Sequence, residues 1–343
     1  MGRTTGISLV PGNKIGAILL IAAIAWVSIA FAGDGALPKS ASGSALSPLP
    51  PPASLPPAKV ALGERLFHDP MLSGREKLSC SACHNLETGG TVPLPRTIGY
   101  DGQVHAFNAP TIFNVGNNYR LGWRGRFTSL AVQNEAVLND RGLMAANWTM
   151  LLSRLTRDQS YLAAFRRLYG APPSRETVLD ALVTFQMSLT TPNAPFDRFL
   201  MGDKAALTPV EKDGFRLFIE YGCVSCHQGA NIGGNMFQIF GVFGSPDAEG
   251  LPKPSDLDKR LQATEGEDSV FRVPSLRNVE VTAPYFHDGS AATLRDAIAV
   301  MGRSQLGREL SQSDIANLEA FLKSLTGEYN GKRLLAVVTE TAR

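Results

Sequence analysis

The chain has 343 residues, enough for two domains with real hydrophobic cores, and 44% of it is hydrophobic although only 8% is aromatic. Lys and Arg number 33 against 31 Asp and Glu, a formal net charge of +2. That balance makes no electrostatic case for nucleic acid, and no basic–aromatic stripe supplies one.

In chain order, Arg3 and Lys14 precede a charge-free apolar stretch, Ile15 to Ala32, that closes in Ala30-Phe31-Ala32 before Gly33-Asp34. The positive start, apolar middle and small-residue end are those of a secretory signal. The stretch is also long enough to span a bilayer. Residues 1–33 are therefore read as a signal peptide or a membrane anchor, and either places the rest of the chain outside the cytoplasm. Residues 34–58, rich in Pro, Ser and Ala, read as an extended linker or tether.

From Lys59 onward one arrangement occurs twice. An amphipathic segment with glycine and phenylalanine, Leu62-Gly63-Glu64-Arg65-Leu66-Phe67, precedes CSACH at Cys80–His84. A second, Gly214-Phe215-Arg216-Leu217-Phe218, precedes CVSCH at Cys223–His227. Thr208-Pro209-Val210-Glu211 is a capping box with proline at the first helical position. Asn147 predicts a helix through about Leu168 ended by Gly170, and Ser174 another through Leu189 stopped by Pro192. Ser311 starts a third, with Ile315, Leu318, Leu322 and Leu325 on one face and Gly327 just past its end. The charged stretch from Asp247 to Asp268 reads as a solvated loop. The fold expected is mainly α with long loops: two cytochrome c-like domains, residues 59–203 and 204–343, with the boundary between Pro195 and Thr208.

The two C-x-x-C-H runs use all 4 cysteines. C-x-x-C-H is the attachment sequence of a c-type haem: the thiols form thioethers to the vinyl groups and the histidine binds the iron. A zinc site would need both pairs on one metal and would leave both histidines unexplained. Two covalent haems are therefore expected, with Cys80, Cys83 and His84 at the first and Cys223, Cys226 and His227 at the second. Of the 5 histidines, His68, His105 and His287 remain. With the methionines they form the pool for a sixth ligand at each iron. His68 reads as a surface or capping residue.

The runs NLETGG, TIGYDGQ, NAPTIFNVGNN and GWRGR after the first site carry a resemblance. So do GCVSCHQGANIGG and FRVPSLRNVEVTAPYFHDGSAATLRDAIAVMG around the second. Together they resemble the bacterial di-haem cytochrome c peroxidases and their MauG-type relatives, over nearly all of Val60 to Gly327. The resemblance implies that an N-terminal haem reduces H2O2, while a C-terminal haem accepts electrons from a small donor, a cytochrome c or cupredoxin. It places the distal methionine of the second haem at Met301, where MauG-type proteins carry a tyrosine. Trp123 falls at the tryptophan between the haems, and Gln133 at a distal glutamine of the first. His287, in PYFHDGS, resembles a position near the second haem, which implies that it orders that pocket or a propionate rather than binding iron. The family's calcium ion maps to the Asn108 side chain and the backbone oxygens of Thr282 and Pro284. A periplasmic location and a homodimer are further implications, and no nucleic-acid partner is among them.

The first pocket departs from the family pattern. Tyr100 stands where a distal histidine closes the first haem. It is read as a tyrosinate ligand or as an unbound side chain, with His105 a third candidate. Leu143 stands where the family has a glutamate that moves protons, a loss worth on the order of 10²–10⁴ in rate. Glu135 and Asp140 are the acids nearby. Arg124 replaces an acidic residue between Trp123 and Gly125-Arg126. The leading function is H2O2 reduction. The alternatives are a MauG-like oxidase acting on a partner protein and a non-catalytic electron-transfer or redox-sensing protein.

Overall fold

The computed structural model describes residue 2, residues 45–244 and residues 270–335. The stretch read as a signal or anchor and the loop from Asp247 to Asp268 lie outside the described residues. No helix among those described is long and apolar enough to cross a membrane.

Helices dominate. They are α1 (Pro57–His68), α2 (Leu130–Asn139), α3 (Trp148–Arg157), α4 (Gln159–Tyr169), α5 (Arg175–Ser188), α6 (Pro195–Leu200), α7 (Pro209–Glu220), α8 (Leu294–Leu306) and α9 (Gln312–Lys323). Strands β1 (Phe237–Ile239) and β2 (Val270–Arg272) pair antiparallel, as do β3 (Glu328–Tyr329) and β4 (Lys332–Arg333). Ser174, Thr208 and Ser311 cap α5, α7 and α9, and Thr208 closes a full capping box with Glu211. The single helix expected after Asn147 is instead two. The Asp158 carboxylate accepts the N–H groups of Ser160 and Tyr161 and starts α4, because a short acidic side chain at that point offers the backbone a cap in place of continuation.

Two similar lobes emerge from the packing. In the first, α1 crosses α5 at Gly63, where a Cβ would collide with the Ala181 carbonyl and Phe185. In the second, α7 crosses α9 at Gly214, where it would collide with the Asn317 carbonyl and Phe321. Only glycine lets the helices come this close. The adjacent ring pairs Phe67–Phe185 and Phe218–Phe321 both have centroids 5.2 Å apart. Further along, Asn114 and Asn278 both adopt left-handed backbone (φ 58° and 61°), and each opens a short 3₁₀ turn. Asparagine tolerates this region better than other side chains. Both asparagine amides donate to one hydroxyl, Thr191 Oγ1, at 2.7 and 3.0 Å. The two halves thus meet at Thr191. In the same register come the bridges Leu121–Phe127 and Tyr285–Ala291, then the caps Ser129 of α2 and Thr293 of α8.

Helix α6 packs with the second lobe, its Phe196 ring 5.0 Å from Phe215 and 5.1 Å from Phe321. Part of the stretch read as a loose linker is tied down as well. Leu46 is buried, Gly229 N–H donates to Ala45 O at 2.7 Å, and Leu49 N–H donates to Asp197 at 3.2 Å. Asp197 itself forms a buried ion pair with Arg277 at 2.6 Å. The strap supplies Ser47 O to the same guanidinium, which helps satisfy a charge that would otherwise be costly to bury.

Candidate functional site: two haem-attachment centres

Each C-x-x-C-H run forms a tight 3₁₀ turn, Cys80–Ala82 and Cys223–Ser225, with its histidine just beyond the turn. His84 Nδ1 lies 3.2 Å from Gly90 O and His227 Nδ1 3.2 Å from Ile232 O. A carbonyl at Nδ1 selects the Nδ1–H tautomer and leaves Nε2 as the lone-pair nitrogen that a metal needs. Burial pushes His227 down to about 4 and also lowers His84, so both imidazoles are held neutral and ligand-ready. Burial likewise raises the thiols, Cys80 to about 12 and Cys223 to about 11.

The second centre opens on a cavity of about 470 Å³, lined by Cys223, Cys226 and His227 from one side and by Met301 of α8. Its walls are mostly aromatic and aliphatic, as a porphyrin requires. Arg272, only 5% exposed, also lines it. Among the described residues its guanidinium donates only to the carbonyls of Gly122 and Val273, and burial pulls its pKa down to about 10. A buried cation with carbonyl partners alone fits an anionic group in the cavity, such as a haem propionate. The residues present therefore suit the cofactor that the motif specifies.

Trp123 belongs to the same cavity wall. Its indole N–H donates to Asn108 O at 2.8 Å, and its carbonyl accepts from Arg272 N–H at 2.8 Å. His287 stacks on Phe271 with centroids 4.2 Å apart and stands 6.4 Å from the Trp123 ring. Asn108, Thr282 and Pro284 all border this cavity. The Asn108 amide nitrogen donates to Leu94 O at 2.8 Å, and among the described residues no hydrogen bond to its side-chain oxygen is found. Neutral oxygens of this kind suit calcium.

The structure joins Tyr100 to Leu143. Tyr100 N–H lies 3.1 Å from both Gly142 O and Leu143 O. The loops approach so closely at Gly99 that a Cβ there would strike Gly142 O. The Tyr100 ring lies near Gly74, with the Arg75 guanidinium 5.4 Å from its centroid. Gln133 sits in α2, half-buried. His105 Nδ1 accepts the Phe107 N–H at 3.3 Å; burial lowers its pKa while Asp140 opposes that shift. Glu135 is locked by Arg175, whose Nε donates at 2.6 Å, and by the Trp148 indole at 2.9 Å. It is not a free acid. His68 is exposed in the last turn of α1.

Several of these features escaped the sequence reading. The Asp197–Arg277 pair, buried Arg272 and the Ala45–Leu49 strap were not singled out. An arginine inside the apolar run FRVPSLRN was the available signal for the first two.

Two C-x-x-C-H centres in two matched helical lobes define a di-haem c-type protein. Comparison places it further. Residues 57–205 match the di-haem cytochrome c peroxidase family. The chain is 38% identical over 270 residues to cytochrome c551 peroxidase of Pseudomonas aeruginosa, covering 78% of each chain. It is 30% identical over 295 residues to methylamine utilization protein MauG of Methylorubrum extorquens, covering 82% of each. Among solved structures, a MauG-like protein associated with microbial copper homeostasis superposes with a TM-score of 0.69 at 28% identity, over 87% of this chain and 96% of that one. The diheme peroxidase BthA of Burkholderia thailandensis shares the fold, with a TM-score of 0.66 at 22% identity over 82% and 90% of the two chains. The chain belongs to the di-haem cytochrome c peroxidase family.

Proposed function

We propose that this protein reduces H2O2 to water outside the cytoplasm, in the periplasm, taking its two electrons one at a time from a small cytochrome c or cupredoxin. The overall balance is H2O2 + 2 H⁺ + 2 e⁻ → 2 H2O. The observation that carries the reading is the placement of His227, Met301 and Trp123 around one cavity. A His/Met pair raises a haem's potential and suits it to accept electrons. Each haem, when bound, supplies an iron that changes its charge by one electron.

The protein's own residues do the rest. His84 and His227 would each hold a haem iron, and Met301 would supply a sulfur ligand at the second centre. Trp123, fixed through its indole N–H, lies on the electron route towards the first centre. Gln133 orients peroxide there. Calcium at Asn108, Thr282 and Pro284 would tie Trp123's hydrogen-bond partner to the second lobe. Tyr100 borders the first pocket beside Leu143, which carries no proton. The lobes correspond to the electron-accepting and peroxide-reducing domains. Met301 favours this reading over a MauG-like oxidase, since MauG-type proteins carry a tyrosine at that place.

The test is steady-state H2O2 reduction by the calcium-loaded holoprotein with a reduced small c-type cytochrome, starting from the fully oxidised and the half-reduced forms. Turnover in either form supports the reading. Turnover in the half-reduced form alone means that a ligand, Tyr100 or His105, leaves the first haem on reduction. Absence of turnover in both sinks it.

A further inference from the structure

The matched lobes permit the first haem's distal wall to be located from the second. Leu294, Ala297, Ile298 and Met301 of α8, with Leu318 and Leu322 of α9, line the second cavity. The caps Ser129 and Thr293 set α2 and α8 in one register. The close crossings at Gly63 and Gly214 set α5 and α9 in another. The corresponding positions in the first lobe are Leu130, Gln133, Asn134 and Val137 of α2, with Leu182 and Gln186 of α5. Three that are apolar in the second lobe are amides in the first.

Two of these amides bond to each other. Asn134 Nδ2 donates to Gln186 Oε1 at 2.8 Å, and Gln186 Nε2 donates to Asn134 Oδ1 at 3.0 Å. Gln186 is only 9% exposed. The exchange uses one N–H on each amide and leaves one N–H apiece. Asn134 is half-buried; burying the Gln186 amide costs more than burying Leu322 at the matching position, unless something in the pocket accepts from it. Val137, opposite in role to Met301, cannot ligate an iron.

We propose that Asn134 and Gln186, with Gln133, form an amide-lined distal pocket over the first haem that holds a small polar ligand, H2O2, by hydrogen bonding. Asn134 and Gln186 are its positioning residues. This rests on the peroxidase reading and extends it. Amides do not titrate near neutral pH, so the pocket orients peroxide without taking its proton.

The test exchanges the pair for the residues of the second lobe, Asn134→Ile with Gln186→Leu, in the haem-loaded protein. The first readout is the C–O stretch of carbon monoxide bound to the reduced first haem, which hydrogen-bond donors lower. The variant should shift it to higher frequency, with the second haem's methionine-ligated spectrum unchanged as the control for folding. Peroxide turnover should fall on the order of tenfold, the loss of roughly one buried hydrogen bond. Gln186→Met alone, nearly isosteric, should shift the stretch in the same direction by less, and stands in if the double variant does not fold. An unchanged stretch overturns the proposal even if turnover is normal, and so does a wild-type first haem that binds no carbon monoxide. A shifted stretch without any peroxide turnover would sustain the amide pocket and remove the peroxidase reading instead.

Discussion

Where the first lobe places Asn108, Phe113, Trp123, Val137 and Gln186, the second places Arg272, Arg277, His287, Met301 and Leu322, in the registers fixed by Asn114 and Asn278, by the helix caps and, for Gln186 and Leu322, by the crossings at Gly63 and Gly214. The scaffold is repeated and the contents are not. Both lobes hold a histidine by Nδ1 to a carbonyl at 3.2 Å, so the proximal sides are alike. The differences concentrate on the distal walls and at the junction between lobes. One copy's wall is apolar and includes Met301; under the proposal above, the other is lined by amides and has Val137 at the position matching Met301. On the proposed reading, duplication with divided labour lets one fold serve both electron entry and ligand reduction.

The sharpest way to break this contrast is to exchange the ligand position. Met301→Val should open the second haem and lower its potential by on the order of 0.1 V, within the ~0.8 V span that axial ligation covers. Redox titration of the holoprotein reads this directly. Val137→Met should do the converse, giving the first haem a sulfur ligand and abolishing peroxide turnover. If Val137→Met leaves turnover intact, the register argued for α2 is wrong.

A second contrast lies in the core. Phe113 and Arg277 occupy matching positions and both are almost fully buried, but the arginine needs Asp197 at 2.6 Å, Ala230 O at 2.8 Å and the strap's Ser47 O at 3.3 Å. Asp197→Ala should cost about 3–5 kcal/mol, because it strands a buried charge. Arg277→Phe combined with Asp197→Leu should cost much less, since the first lobe already accommodates a ring there. Denaturant unfolding of the holoproteins compares the two, and equal losses would contradict the equivalence.

The legible part of this molecule is the part written in short motifs. C-x-x-C-H, Thr208-Pro209-Val210-Glu211 and Ser311 each carry their chemistry within five residues, so the haem centres and the capped helices were readable. The duplication beyond the haem motifs and the helices that precede them was not. Its matched positions hold different side chains, Trp123 against His287 and Gln186 against Leu322, and backbone geometry rather than composition makes them equivalent. The break at Asp158 was hidden because its flanks both have helical periods. The Ala45–Leu49 strap was hidden because its anchors, Asp197, Gly229 and Arg277, are far away in sequence. Glu135 could be nominated as a spare acid from proximity alone, and only the folded chain shows it occupied.

That occupation gives the smallest effect and a comparison of its own. Each lobe ties its distal helix to its partner with one ion pair at a different place, Glu135–Arg175 between α2 and α5 and Arg295–Glu319 (3.0 Å) between α8 and α9. Hydrogen bonds from Arg175 and then from Trp148 hold the Glu135 carboxyl below its ordinary value of 4.5. A group whose folded pKa is depressed contributes stability that is complete above its unfolded value and lost as pH falls through the folded one. Glu135→Gln should therefore lower the Tm slightly at neutral pH, and the gap from wild type should close as the pH drops below about 4.5. The Arg175 side chain is 45% exposed, so solvent screening keeps the effect small. Thermal melts of both proteins between pH 7 and pH 3 measure it. A gap that persists at the acid end would mean that Glu135 acts through packing on Trp148 rather than through its charge.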